Sequence, residues 1–117
     1  MGAAGLTSSS IEMASKGKLG IEINLDKVPC RETKMTPYEI MLSESQERML
    51  IVLENGKENL AKKIFDKWGL DFAVIGKTTN TKNMQLFFNS EQVAKIPINI
   101  LVENSPMYDR KWKKTKL

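Results

Sequence analysis

Apolar and polar residues alternate most regularly between positions 19 and 25, where every second residue is leucine or isoleucine. Successive side chains of a strand point to opposite faces, so this period of two predicts a half-buried strand. Positions 57–68 follow a helical period instead, with charged residues on one side and an apolar stripe on the other. The stripe consists of Leu60, Ala61, Ile64, Phe65 and Trp68. Gly69 follows directly and predicts the end of this helix.

Two further helices are predicted from capping boxes, in which a hydroxyl side chain bonds a free amide of the first turn and a glutamate three residues later bonds back. Ser9 and Glu12 have this spacing and predict a short helix that begins at Ser9. Thr36 and Glu39 have it as well, with a proline between them at the first helical position, and predict a brief helix over 38–43.

Four short runs rich in apolar residues predict the remaining strands. Residues 48–53 form a near-continuous run typical of an interior strand, and 72–77 form another strand. These two flank the clearest helix, so we expect them to be parallel neighbours or one strand apart. Residues 84–88 and 92–96 predict an antiparallel meander, whereas 98–102 are ambiguous. The order predicts an α+β fold with a mostly antiparallel sheet and helices on one face.

Composition narrows the chemistry that this chain can perform. It has 117 residues, one cysteine and no histidine, which excludes an internal disulfide, a zinc site of the usual kind and histidine acid–base catalysis. Cys30 is interpreted as an incidental thiol. A single cysteine, with neither a leader pattern nor an apolar run of about 20 residues, predicts a cytoplasmic protein that does not enter a membrane.

The net charge of +4 is concentrated at one end of the chain. Residues 110–117 carry five positive charges and no acidic residue, so the other 109 residues sum to −1. A basic segment with a tryptophan could contact nucleic acid, or it could be a linker to a further domain.

A polar cluster lies between the predicted helix at 38–43 and the apolar run that follows. Glu44 can only accept hydrogen bonds, Ser45 and Gln46 can both donate and accept, and Arg48 can only donate. Such a set could satisfy a polyhydroxylated or phosphorylated ligand, and a solvated turn is the alternative. Glu47 and Arg48 are interpreted as an ion pair or as support for a sheet edge rather than as ligands.

A second candidate is the loop of small residues that precedes the first predicted helix. It consists of Gly2, Ala3, Ala4 and Gly5. Small side chains let backbone amides approach an anion or a metal-bound phosphate at a helix N-terminus, although tight packing alone could also require them. No catalytic residue and no metal ligand are predicted in this chain.

The run 35–49 resembles a signature of the phosphoribosylformylglycinamidine synthase family. It contains the sequence Ser43-Glu44-Ser45-Gln46-Glu47-Arg48-Met49, and stretches 1–10, 25–29 and 71–77 agree with the same family in order. The chain is most similar to the family's short-form synthetase subunit, whose glutaminase is a separate protein. The resemblance covers residues 1 to about 110 and implies a fragment from the first half of that subunit.

The resemblance also implies a division of the chain. Residues 1–105 would be a truncated C-terminal-type domain of the aminoimidazole ribonucleotide synthetase-like superfamily, lacking its opening strand and helix, and 106–117 a basic tail or linker. We therefore expect an unpaired sheet edge or an exposed apolar face.

The family's reaction is an ATP-dependent amide-to-amidine conversion. Formylglycinamide ribonucleotide and glutamine-derived ammonia give formylglycinamidine ribonucleotide in purine biosynthesis, with ATP and Mg²⁺ as cofactors. The implied partners are the glutaminase subunit, a small accessory subunit and the remainder of the synthetase chain. In the family, the residues matching Glu44, Ser45 and Gln46 contact the ribonucleotide substrate.

The family's catalytic histidine, ATP-contacting lysine and magnesium ligands match no residue of this chain. One of those ligands is an aspartate immediately before the position of Met1. The fragment alone is therefore expected to be inactive and to bind neither cofactor tightly. A different class of function stays open, namely a free-standing α+β binding module with a basic tail for nucleic acid or regulation. Its strands lack an aromatic pair for base stacking, so nucleic acid is an unlikely partner.

Overall fold

A computed structural model describes residues 1–44 and 48–115 of the chain. The elements are, in chain order, α1 (Gly5–Lys16), β1 (Gly20–Asn24), a 3₁₀ turn (Leu25–Lys27), α2 (Pro37–Leu42), α3 (Glu58–Lys67), β2 (Gly76–Thr79), β3 (Asn83–Phe88), β4 (Glu91–Pro97) and α4 (Ile98–Val102).

The strands form one mixed sheet in the order β2-β1-β3-β4. The central strand β1 pairs antiparallel with β2 and parallel with β3, and β3 pairs antiparallel with β4. Two of the three described pairings are antiparallel, which confirms the predicted α+β class. The register places Ile21 beside Met84 and Ile23 beside Leu86, and all four side chains are buried.

The core lies between the two central strands and the helices α1, α2 and α4. Its buried side chains are Leu6, Ile11, Ala14, Ile21, Ile23, Leu25, Val28, Ile40, Met41, Met84, Leu86 and Ile98. The alternation predicted for residues 19–25 is confirmed, because Ile21, Ile23 and Leu25 all enter this core. Packing of α1 against both α2 and β1 brings the start of α1 next to the end of α2.

The predicted start of the first helix at Ser9 is wrong. Helix α1 begins four residues earlier, where Gly5 N donates to the carbonyl of Gly2 at 3.0 Å and Thr7 N to the carbonyl of Ala4 at 3.1 Å. These backbone bonds start the helix without a side-chain cap. Ser9 therefore lies inside the helix, where its hydroxyl donates to the carbonyl of Gly5 at 3.0 Å.

The predicted start of the second helix is confirmed. The hydroxyl of Thr36 accepts from Glu39 N at 3.3 Å, and the Glu39 carboxylate accepts from Thr36 N at 2.8 Å. The Thr36 hydroxyl also donates to the Glu39 carboxylate at 2.8 Å. The bond from the Thr36 backbone, and after it the bond from this hydroxyl, lower the pKa of Glu39 below its ordinary value. The predicted helix at 57–68 and the meander are confirmed by α3, β3 and β4, and the ambiguous residues 98–102 form α4.

The interior strand predicted at 48–53 is wrong. These residues belong to no strand in the described part of the chain. Leu50 packs against the core, but the other large apolar side chains of the run are exposed, Met49 by 77%. A strand requires a partner for its backbone groups, and none of the described strands lies beside this run. The predicted strand at 72–77 is also shorter than expected, because β2 begins only at Gly76. The expected parallel crossover between the two runs is therefore wrong as well.

Helix α3 lies apart from the core and carries an exposed apolar stripe. Leu60, Ile64 and Trp68 are exposed by 56%, 52% and 69%. Phe65 packs on Phe72 with ring centroids 5.4 Å apart. None of the described helices is both long and apolar enough to cross a membrane.

Candidate functional site

The two candidate segments of the sequence meet at the carbonyl group of Ser43. Ser43 ends helix α2, where its N–H donates to the carbonyl of Glu39 at 2.9 Å. Gly5, the first residue of α1, lies directly against the Ser43 carbonyl. A Cβ atom at Gly5 would be 2.0 Å from that oxygen, and Gly5 also has a φ of +51°. Both the space and the backbone conformation therefore require glycine here.

Glu44 joins the small-residue loop to the end of α2. Its Oε1 accepts from the backbone N–H of Ala4 at 2.8 Å, across 40 positions of sequence. Ala4 precedes α1 in the left-handed conformation, with a φ of 58°. The carboxylate thus lies at the N-terminus of a 12-residue helix, where the helix dipole favours negative charge.

A threonine on α1 provides a second link between these elements. The hydroxyl of Thr7 donates to the carbonyl of Met41 at 2.8 Å. Met41 is in the last turn of α2, whose carbonyls have no partner inside the helix. The loop itself is braced by Ser8, whose hydroxyl donates to the carbonyl of Ala3 at 2.5 Å.

Arg48, at the C-terminal end of the polar cluster, also contacts the carbonyl of Ser43. Its guanidinium Nη2 donates to the carbonyl of Ser43, and its own carbonyl accepts from the amino group of Met1. The Nε atom of Arg48 is buried and has no acceptor among the described residues. One side chain therefore connects the two ends of the segment that begins at Glu44.

The structure thus brings together four of the predicted positions. Glu44, Ala4 and Gly5 lie around Ser43, and Gly2 accepts the bond that starts α1. Ser45 and Gln46, together with Glu47, lie outside the described residues. Sequence reasoning missed Thr7, because a threonine within a helical pattern carries no signal for a carbonyl 34 positions away.

The described residues around this site do not form a magnesium site. Among residues 1–44 and 48–115, no group of three or more histidine, cysteine, aspartate or glutamate residues could hold a metal ion. The carboxylate at the loop is that of Glu44, and one of its oxygens already accepts from Ala4. The Glu44 side chain is exposed, so its carboxylate can accept hydrogen bonds from a polar ligand.

The chain is similar to known proteins of one family. The family described as AIR synthase related protein, C-terminal domain, matches residues 1–89. The phosphoribosylformylglycinamidine synthase subunit PurL of Pelagibacter ubique is 82% identical over 117 residues, which are 100% of this chain and 16% of that protein. The subunit of the same name from Erythrobacter litoralis is 64% identical over 110 residues, 94% of this chain and 15% of that protein.

Solved structures of PurL from Thermotoga maritima match the fold as well. The structure complexed with FGAR is 33% identical with a TM-score of 0.84, over 100% of this chain and 19% of that one. The structure complexed with ADP is 33% identical with a TM-score of 0.85, over 99% of this chain and 20% of that one. The chain spans about a sixth of the length of the curated relatives that it matches.

Proposed function

The chain belongs to the family of AIR synthase related proteins, of which it matches the C-terminal domain, and on that premise we propose that it forms part of the substrate site of a phosphoribosylformylglycinamidine synthase. The whole enzyme would convert formylglycinamide ribonucleotide, ATP and glutamine-derived ammonia to the amidine. The observation that carries the proposal is the match of this entire chain to a PurL structure complexed with FGAR. Enzymes of this kind rely on positioning and on charge stabilisation of the phosphates.

Glu44, Ser45 and Gln46 would bind the ribonucleotide directly. The exposed carboxylate of Glu44 can accept from ribose hydroxyls, Ser45 can bond a ribose or phosphate oxygen, and Gln46 can donate and accept. The bond between Glu44 and Ala4 N supports this role, because it orients the carboxylate before a ligand arrives. A carboxylate that is already oriented loses less conformational entropy when it binds.

The loop from Gly2 to Gly5 would lie next to the phosphates or the metal in the whole enzyme. Its small side chains leave the backbone open, and a Cβ atom at Gly2 would have no neighbour within 4 Å. The N–H of Ala4 is already bonded to Glu44, so the loop would contribute other groups to an anion. Mg²⁺ would neutralise phosphate charge when bound, with ligands from outside this chain.

The apolar surfaces of this chain would be covered by the remainder of a longer synthetase. The stripe on α3 is exposed, and so are Met49, Ile51, Val52 and Leu53. Contiguous exposed apolar side chains are typical of interaction surfaces. We propose that residues 1–105 complete a C-terminal-type domain with a preceding strand and helix, and that 106–117 lead towards the next domain. A glutaminase subunit and a small accessory subunit would complete a cytoplasmic enzyme.

The test is the kinetics of the longer synthetase that contains these 117 residues. The variant Glu44→Ala should raise the KM for formylglycinamide ribonucleotide by about tenfold or more, equivalent to about 1.4 kcal/mol of lost binding. The KM for ATP should change by less than about twofold, since Glu44 is not proposed to contact it.

The matched control is Glu54→Ala, which removes an exposed glutamate whose side chain is not part of the contacts described at the site. It should leave both KM values unchanged. A Glu44→Ala enzyme with the substrate KM of the unmodified protein would contradict the role of Glu44. An antibody against this chain that detects only a 13.3 kDa protein in source cells would contradict the larger proposal.

A further inference from the structure

The side chain of Arg48 bonds the residue that precedes Glu44, the first residue of the segment proposed to bind the substrate. Its guanidinium donates to the carbonyl of Ser43, the residue immediately before Glu44, while Arg48 itself follows the segment. The Arg48 side chain therefore links residues 43 and 48 directly. The same carbonyl is in contact with Gly5 on its other side, where even a methyl group would not fit.

The chemistry of Arg48 suits this task better than that of a ligand. A guanidinium–carbonyl hydrogen bond is charge-assisted and stronger than a bond between neutral groups. The carbonyl of Ser43 lies at the C-terminal end of α2, where the helix dipole favours a positively charged group. The Nε atom of the same guanidinium is buried, so that this part of the side chain is not accessible to a ligand.

We propose that Arg48 is a positioning residue, which holds the carbonyl of Ser43 against Gly5 and thereby sets the position of Glu44 for contact with the substrate. The inference rests on the proposed role of Glu44 in binding the substrate. Arg48 does not contact the substrate itself. Its loss leaves the Glu44 side chain in the protein but removes the bond that holds the preceding carbonyl.

The experiment uses the longer synthetase that contains these residues, with the variants Arg48→Met and Arg48→Lys. We expect Arg48→Met to raise the KM for formylglycinamide ribonucleotide about tenfold, with the KM for ATP and the melting temperature nearly unchanged. Arg48→Lys should give a smaller increase, because lysine keeps the charge but lacks the planar fork of donors. Arg31→Met, which removes an exposed arginine from the loop before α2, is the matched control.

A double variant separates positioning from a general structural role. If Arg48 acts through Glu44, then Arg48→Met should have little further effect on the substrate KM in a Glu44→Ala enzyme. Additive effects, or equal increases in the KM for both substrates, would overturn the inference. If Arg48→Met does not fold, the same comparison is made with Arg48→Lys.

The two proposals can fail separately. If Glu44→Ala raises the substrate KM and Arg48→Met and Arg48→Lys do not, the role of Arg48 is wrong and the substrate site stands. If the unmodified synthetase does not use formylglycinamide ribonucleotide, the proposed function and the inference built on it are both wrong.

Discussion

At the scale of single residues, the site depends on Gly5, which the sequence shows only as one of the small residues in the loop from Gly2 to Gly5. Gly5 has a φ of +51°, and a Cβ atom there would be 2.0 Å from the Ser43 carbonyl oxygen. The close approach allows Glu44 to reach the N–H of Ala4. The glycine is therefore required by a contact with a residue 38 positions away rather than by its neighbours in sequence.

The variant Gly5→Ala should destabilise the folded chain by roughly 2–4 kcal/mol, because it adds both a steric overlap and a left-handed alanine. Chemical denaturation measures this directly. Gly2→Ala is the control, since nothing lies within 4 Å of a Cβ atom at Gly2, and it should change stability by less than about 0.5 kcal/mol. Equal effects of the two variants would contradict the described contact.

At the scale of elements, the two capping-box patterns had different outcomes for a physical reason. Thr36 and Glu39 begin α2 because residues 28–35, directly before them, form no helical turn. Ser9 and Glu12 have the same spacing, but the turn from Gly2 to Gly5 already starts α1 with backbone bonds. A capping box predicts a helix start only where the preceding residues do not continue the helix.

The capping box of α2 should make stability depend on pH. Hydrogen bonds from Thr36 favour the charged carboxylate of Glu39 and lower its pKa in the folded state. The resulting stabilisation is present above the unfolded glutamate pKa of about 4.3 and is lost as the pH falls through the lower folded value. Glu39→Gln should therefore reduce the loss of stability between pH 7 and pH 3, as measured by urea denaturation.

Thr36→Ala is the companion variant, because it removes one of the two donors to Glu39 and the cap of α2. It should lower stability by about 1 kcal/mol at pH 7 and reduce the same pH dependence. A pH dependence that neither variant alters would show that the capping box contributes nothing to it.

At the scale of the whole molecule, the chain is more extended than a compact domain of its length. The radius of gyration is 16.9 Å, whereas about 13 Å is typical for 117 residues. Two features contribute, namely the exposed segment after α4 and the position of α3 apart from the core. The apolar stripe of α3 is thus left in solvent, an arrangement that is costly for an isolated chain.

We expect the isolated 117-residue chain to self-associate at micromolar concentration through this stripe. Size-exclusion chromatography should give an apparent mass well above 13.3 kDa. Ile64→Glu places a charge in the stripe and should shift the chain towards the monomer. Lys63→Glu, on the polar side of α3, should not. A wild-type chain that elutes as a monomer and binds no hydrophobic dye would contradict this expectation.

Local patterns in the sequence determined those features that depend on neighbouring residues. The alternation at 19–25 specified β1, the spacing of Thr36 and Glu39 specified the start of α2, and the order of motifs identified the family. Each of these signals is complete within a few residues, because strand period, capping and motif identity are short-range properties.

Only the tertiary structure decided which distant groups meet and which apolar runs find partners. Residues 48–53 have the composition of a strand, yet no described strand pairs with them, since pairing depends on what lies beside the run. The bonds from Ala4 to Glu44 and from Thr7 to Met41 join positions 40 and 34 residues apart. Such contacts arise from the packing of α1 on α2. No local pattern encodes them, because a hydrogen bond stabilises the fold only when both its donor and its acceptor are brought together.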